Sequence, residues 1–296
     1  SLAVDRDEFF VAIRALYDER AYNPALKRLT FCLLGVAAPR DLVKNPDITP
    51  FNIGRAISLR DFNRTEMDAF IAALRPLGGN PSSWIDAVYR WTAGHPYMTQ
   101  ALCHQLILQV QKTDVRVSEQ GLAEYVESVV QARFLRVGRS YDDNLSYSER
   151  RLELAEQRPE LLSLYRKILA EGSLPLADSD PLVQDLQLCG MVAPVVTADG
   201  QRNLRVRNLI FERVFDSSWV REQESHRKLL QATRRWQERG QDDYDLLRGQ
   251  ELAEAERWAS LHPREITVEE NSFLRACLDL ARRDAERERL ASEARI

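Results

Sequence analysis

The sequence predicts a mainly helical chain with a small α/β remnant near its N-terminal end. Three observations carry that expectation. Apolar residues recur at helical spacing from Asp61 onward, one continuous apolar run at 29–39 reads as a buried strand, and two short extended pieces flank Asp199-Gly200. At 296 residues the chain is long for one core, so two or three domains are expected. An apolar share of 44% beside 29% charged residues fits a globular chain rather than a disordered one.

Taken in order, Phe9, Phe10, Ile13, Leu16 and Tyr17 mark an amphipathic helix that Asn23-Pro24 ends. LTFCLLGVAAP (29–39) has the unbroken apolar character of a central parallel strand. A Pro- and Gly-punctuated loop (47–55) leads to a short second strand, AISL (56–59), completing the grammar of an α/β sheet. From Asp61 the pattern turns helical. Asn63 or Thr65 can cap a helix carrying Met67, Phe70, Ile71 and Leu74, and Gly78-Gly79-Asn80-Pro81 breaks it. Trp84, Ile85, Val88 and Trp91 form the next stripe, which Gly94-His95-Pro96 interrupts, and Tyr97, Leu102, Leu106 and Val110 mark another helix. Ser118 opens a further helix through Val130.

Residues 138–151 are polar and aperiodic and read as a linker. Beyond them come a helix on Leu161, Leu164, Tyr165 and Ile168, a second helix at 181–188, and two strands around the Asp199-Gly200 turn. Helix, helix, hairpin is the core pattern of a winged helix-turn-helix, with Asp199-Gly200 at the wing tip. From about Val220 the chain is helical and strongly charged. Residues 281–296 alternate Arg and Glu as a solvated helix or coiled-coil start.

The 41 basic and 45 acidic residues leave a formal charge of −4, which gives no global pull toward nucleic acid or anionic membrane. The longest apolar stretch is too short to span a bilayer, and the acidic first residues lack the start of a signal peptide. Cys32, Cys103, Cys189 and Cys277 are scattered without a CxxC pair, so buried thiols in a reducing cytoplasm are expected.

Several phrases resemble the bacterial AAA-like family of STAND-class signalling NTPases: DEFFVAIRALYDERAYNP (7–24), RLTFCLLGVAAPRDLV (28–43), TPFNIGRAISLRDF (49–62), WTAGHPYMTQALC (91–103) and LRVRNLIFERVFDSSWV (204–220). That resemblance implies four parts. Residues 1–60 would be the C-terminal part of an NTPase core, 61–140 a helical lid, 141–220 a winged helix and 221–296 a charged helical arm. No G-x-x-x-x-G-K-[ST] segment and no Walker B strand ending are present, so this chain alone is expected to perform no phosphoryl transfer. ATP or ADP would bind only together with an upstream P-loop segment. The expected partners are that segment and a C-terminal sensor or effector module such as a WD-repeat array, with a homo-oligomer a further option.

The same resemblance names nucleotide-sensing candidates. Arg40 lies just past the C-terminal end of the apolar run, where ligands sit in open α/β sheets. Arg55 would reach a phosphate or a neighbouring subunit. Gly94-His95-Pro96 resembles the lid turn whose proline packs on adenine, with Tyr97 as a neighbour, and Arg207 would sense the nucleotide from the second wing strand. Each has a plainer structural account: a solvated loop arginine for Arg40 and Arg55, a sharp turn with a helix-starting proline at 94–96, and a charged edge strand at Arg205 and Arg207. His95 is not expected to bind metal, because His104 is the nearest histidine and no suitable carboxylate or thiolate is spaced with it. DNA binding ranks below an intramolecular clamp. The second helix, PLVQDLQL, carries Asp185 and no Arg or Lys, and Gln184 and Gln187 are its only polar readers. Two alternatives to the nucleotide switch stand beside it, a winged-helix transcription regulator and a non-catalytic interaction scaffold.

Overall fold

A computed structural model describes residues 6–35, 55, 57, 59–113, 117–136, 142–263 and 265–293. Most of them are helical, and the described strands make one three-stranded sheet. The chain divides into two units, Ser1–Arg213 and Val214–Ile296.

In the first unit, α1 (Arg6–Glu19) turns Phe10 and Ile13 inward. Asn23 then caps a short 3-10 turn, Pro24–Arg28, by accepting from Ala25 N. The expected α/β remnant does not follow. Residues 29–35 have no regular structure, and Phe31, Leu33 and Leu34 are exposed. Ile57 and Leu59 of the second expected strand are likewise irregular and exposed, while 36–39, Ala56 and Ser58 lie outside the described residues. A buried strand needs ladder partners on its edges, and the three described strands pair only with one another. Apolar composition alone does not supply that partner.

Between 66 and 135 the described residues are largely helical, as the spacing predicts. The first expected helix breaks into short turns, Glu66–Phe70, Ile71–Leu74 and Arg75–Leu77, with Met67 and Leu74 buried. Asn63 caps it. Its Oδ1 accepts from Glu66 N at 2.9 Å and the Glu66 carboxylate accepts from Asn63 N at 2.8 Å, a reciprocal capping box. Asn80 caps α2 (Pro81–Thr92), which buries Trp84, Ile85, Val88 and Trp91. Next come α3 (Pro96–Thr113) and α4 (Leu122–Val130), and α4 runs on into a π turn, Gln131–Leu135.

The expected linker is instead largely a helix, α5 (Asp143–Glu153). Its cap explains why. The Asp142 carboxylate, 1% exposed, accepts from Asn144 N, Leu145 N and Tyr97 Oη and pairs with Arg133 at 3.1 Å. The inward face is Leu145, Ser148 and Leu152, and a serine at the middle position hides the periodicity. Then follow α6 (Arg158–Glu171), β1 (Ser173–Pro175), α7 (Pro181–Leu188), β2 (Val192–Val196), β3 (Arg202–Val206) and α8 (Leu209–Val214). The sheet is antiparallel in the order β1-β3-β2, and α6 packs on β1 and β3. The hairpin turns where the Asp-Gly signal places it. Gly200, at φ +81°, donates to Thr197 O and Thr197 N donates to Gln201 O.

Among the described residues the second unit has three α-helices, α9 (Ser217–Glu238), α10 (Gly249–Leu261) and α11 (Val268–Glu293), with a 3-10 turn at Asp243–Asp245. Leu229, Trp236, Leu252, Trp258, Phe273 and Cys277 belong to its buried core. Asp216 caps α9 by accepting from Ser218 N and Trp219 N. At the start of α11 Thr267 and the buried Glu270 form another capping box, with Glu270 N donating to Thr267 Oγ1 at 3.1 Å and Thr267 N to Glu270 Oε2 at 2.9 Å. Replacing Thr267 by alanine is expected to lower the stability of this unit by about 1 kcal/mol, read as a shift in its urea midpoint at constant slope.

Candidate functional site

The sequence-predicted residues Gly94, His95, Pro96 and Arg207 meet in one place. The turn that carries the first three is forced by its backbone. Ala93 ends α2 in the left-handed region at φ 47°, and Gly94 follows at φ +79°. Two left-handed residues in succession reverse the chain, and Pro96 then opens α3 where its missing N–H has no cost. Thr92 secures the reversal from beneath. Its Oγ1 donates to Val88 O at 3.0 Å, lies 3.0 Å from Thr99 Oγ1, and accepts from Gly94 N at 3.3 Å.

Against this turn lies the segment at Asp61 and Phe62. Phe62 N donates to Gly94 O at 2.9 Å, and a Cβ added at Gly94 would sit 1.9 Å from Phe62 O. Glycine is required by both the φ and the contact. Asp61, beside Phe62, takes a forked bond from Arg207, with Nε to Oδ2 at 3.1 Å and Nη2 to Oδ1 at 2.7 Å. The side chains are only 26% and 18% exposed. This bidentate geometry is the stronger form of an arginine–carboxylate pair, and it joins residues 146 positions apart.

His95 sits behind the pair, 4% exposed, its ring 6.2 Å from that of Phe211 and nearly parallel to it. Nδ1 accepts from Met98 N at 3.4 Å, which leaves the proton on Nε2. Nε2 has no hydrogen-bond partner among the described residues. Burial pushes the imidazole pKa down to about 4, and the Arg207 charge adds to the fall, outweighing the opposing pull of Asp61. The ring is therefore neutral near pH 7. Asn208 completes the node: Oδ1 accepts from Phe211 N at 3.0 Å and Nδ2 reaches Met98 Sδ at 3.5 Å.

The charged and polar groups of this site are largely engaged with one another. The cation is spent on Asp61 and the histidine is a neutral packed ring. No group of His, Cys, Asp or Glu residues among the described ones can hold a metal ion. Arg55 is exposed and takes no part, and Arg40 lies outside the described residues. The sequence reading missed Asp61, Phe62 and Thr92. Nothing local distinguishes Asp61 from other loop carboxylates, and its role exists only through a contact across 146 residues.

No family model matches the chain, and no solved structure matches it either. Among curated proteins it is 34% identical over 265 residues to an uncharacterized WD repeat-containing protein of Synechocystis sp. (strain ATCC 27184 / PCC 6803 / Kazusa). The match covers 88% of this chain and 22% of the relative, so the chain spans about a fifth of that protein. This overturns the resemblance to AAA-like STAND NTPases, and with it the ATP-binding P-loop assignment. The relative is named for WD repeats, and no NTPase family model matches. The apolar run on which the NTPase core rested is also not a strand where it is described.

Proposed function

We propose that this chain is a non-catalytic relay and interaction segment of a larger multidomain protein. In it a helical bundle within residues 61–135 is clamped to a winged-helix module, residues 142–213, that serves intramolecular docking. The observation that carries this reading is the forked Arg207–Asp61 pair joining the two, seated on the Gly94 turn. The order α6-β1-α7-β2-β3, with its three-stranded antiparallel sheet, supports the winged-helix reading. Docking is favoured over DNA because the second helix, α7, carries no Arg or Lys and Arg207 is already turned to a carboxylate. The relative's name adds a candidate for what is relayed to, a WD-repeat module elsewhere in the same polypeptide.

The test is a double-mutant cycle on Asp61→Asn and Arg207→Met with hydrogen exchange as the local readout. For a partly buried pair a coupling of about 1 kcal/mol is expected. Replacing Arg207 alone should also speed exchange in the 66–77 turns, far away in sequence. Zero coupling, or loosening confined to the neighbourhood of residue 207, would sink the clamp. Salt-dependent binding to duplex DNA would return the transcription-regulator reading.

A further inference from the structure

A second concave site lies in the first unit, away from the Arg207–Asp61 pair, where α5, the connector after it, α6 and α7 meet. The cavity holds about 600 Å³, within the range of small-molecule sites. Its floor is apolar. Leu161 and Cys189 are almost fully buried, and Ala155 and the outward Leu154 extend the surface to the rim. Burial drives the Cys189 thiol up to about 11, so that floor carries a neutral S–H and no nucleophile.

The rim carries both signs of charge. Arg151 donates to Tyr147 Oη at 3.1 Å and is thereby held against the α5 wall. Arg150, Glu156 and Asp185 also line the cavity; Asp185 has interactions of its own, whereas among the described residues neither Arg150 nor Glu156 makes a hydrogen bond or ion pair with its side chain. A cation and an anion left open above one apolar floor is the complement of a small molecule with a carboxylate, an ammonium and an apolar body. A simple carboxylate would leave Glu156 facing it, and a simple amine would leave Arg150 unused. The geometry points to a ligand of the amino-acid class with an aliphatic or aromatic side chain, its carboxylate on Arg150, its ammonium on Glu156 and its side chain over Leu161 and Cys189. Such a ligand would touch α5, α6 and α7 together, so its occupancy would fix the helix next to the hairpin.

The experiment uses the full 296-residue chain, with L-leucine, leucinamide and 4-methylpentanoate titrated against amide NMR shifts. Leucine should give saturable shifts at the cavity residues. Leucinamide, lacking the carboxylate, and 4-methylpentanoate, lacking the ammonium, should each bind at least about tenfold more weakly. Arg150→Gln should weaken leucine and 4-methylpentanoate but leave leucinamide unchanged, and Glu156→Gln should weaken leucine and leucinamide alone. Both side chains are exposed, so the spectra of the free variants should overlay the parent outside α5 and the connector after it. No saturable shift with leucine, or equal binding of all three probes, would overturn the assignment. So would leucine binding that neither substitution alters.

Discussion

Replacing Gly94 by alanine should destabilise the first unit by about 3 kcal/mol, a drop of roughly 10 °C in its melting temperature for a unit of this size. Two terms add. A residue with a Cβ pays about 1–2 kcal/mol to hold the left-handed φ of +79°. The Cβ itself would fall 1.9 Å from the Phe62 carbonyl oxygen, and that neighbour is backbone, so the segment carrying Asp61 must move. Moving it stretches the Phe62–Gly94 hydrogen bond and pulls Asp61 off the Arg207 fork, so the loss is cooperative rather than local. Gly200, in the hairpin turn, supplies the control. Its φ is +81° but nothing lies within 4 Å of an added Cβ, so Gly200→Ala should cost only the strain of a positive φ, about 1 kcal/mol. Calorimetric or fluorescence melts of the two variants give the comparison. Equal losses at both positions would mean that the contact with Phe62 has no weight.

The second large effect is one of pH. His95 has a folded pKa near 4 against about 6.5 for an unfolded histidine. Because the folded value is the lower one, the unfolded chain binds the proton first. The stability from keeping the ring neutral is full above about pH 6.5 and is lost as pH falls toward 4. Between pH 7 and pH 5 that amounts to about 2 kcal/mol from this group alone. The charge that forms in acid is opposed by Arg207 and favoured by Asp61, and Nε2 has no hydrogen-bond partner among the described residues, so protonation is expected to weaken the Arg207–Asp61 fork. His95→Asn keeps an acceptor for Met98 N and has no proton to gain. Its stability in urea should vary less with pH over this window, by about 2 kcal/mol, than that of the parent chain. Parallel curves would show that other groups govern the acid side.

How far these features were legible in the sequence follows from the range of the forces involved. Helices that bury a continuous stripe, such as α2 with Trp84, Ile85, Val88 and Trp91, are written in local spacing. So is the hairpin, because Asp199-Gly200 states its turn chemistry outright. The apolar run at 29–35 misled because composition describes what a strand would bury and not whether a neighbour exists to pair with it. The helix α5 was hidden for the opposite reason. Its start depends on Asp142, whose buried carboxylate is stabilised by Tyr97 and Arg133 from elsewhere in the fold. At the site, the unusual backbone of 94–96 was visible as Gly-His-Pro, and Arg207 was singled out as a cation on a strand. The pairing of Arg207 with Asp61 was invisible, since no local pattern encodes a contact spanning 146 residues.

Helix α11 has one further consequence, and it is mechanical. Its last buried residue is Leu280, yet the helix runs on to Glu293, held by exposed pairs such as Arg289–Glu293 and Arg287–Asp284. Residues 281–293 therefore form a rod of about 20 Å at 1.5 Å per residue. A rod transmits direction as well as distance. One residue inserted after Leu280 would turn everything beyond it by about 100° around the axis, and three or four would restore the heading while lengthening the reach by about 5 Å. The far end is thus aimed by the phase of a helix whose core contacts end at Leu280. Salt that screens its surface pairs would soften the aim without disturbing the core.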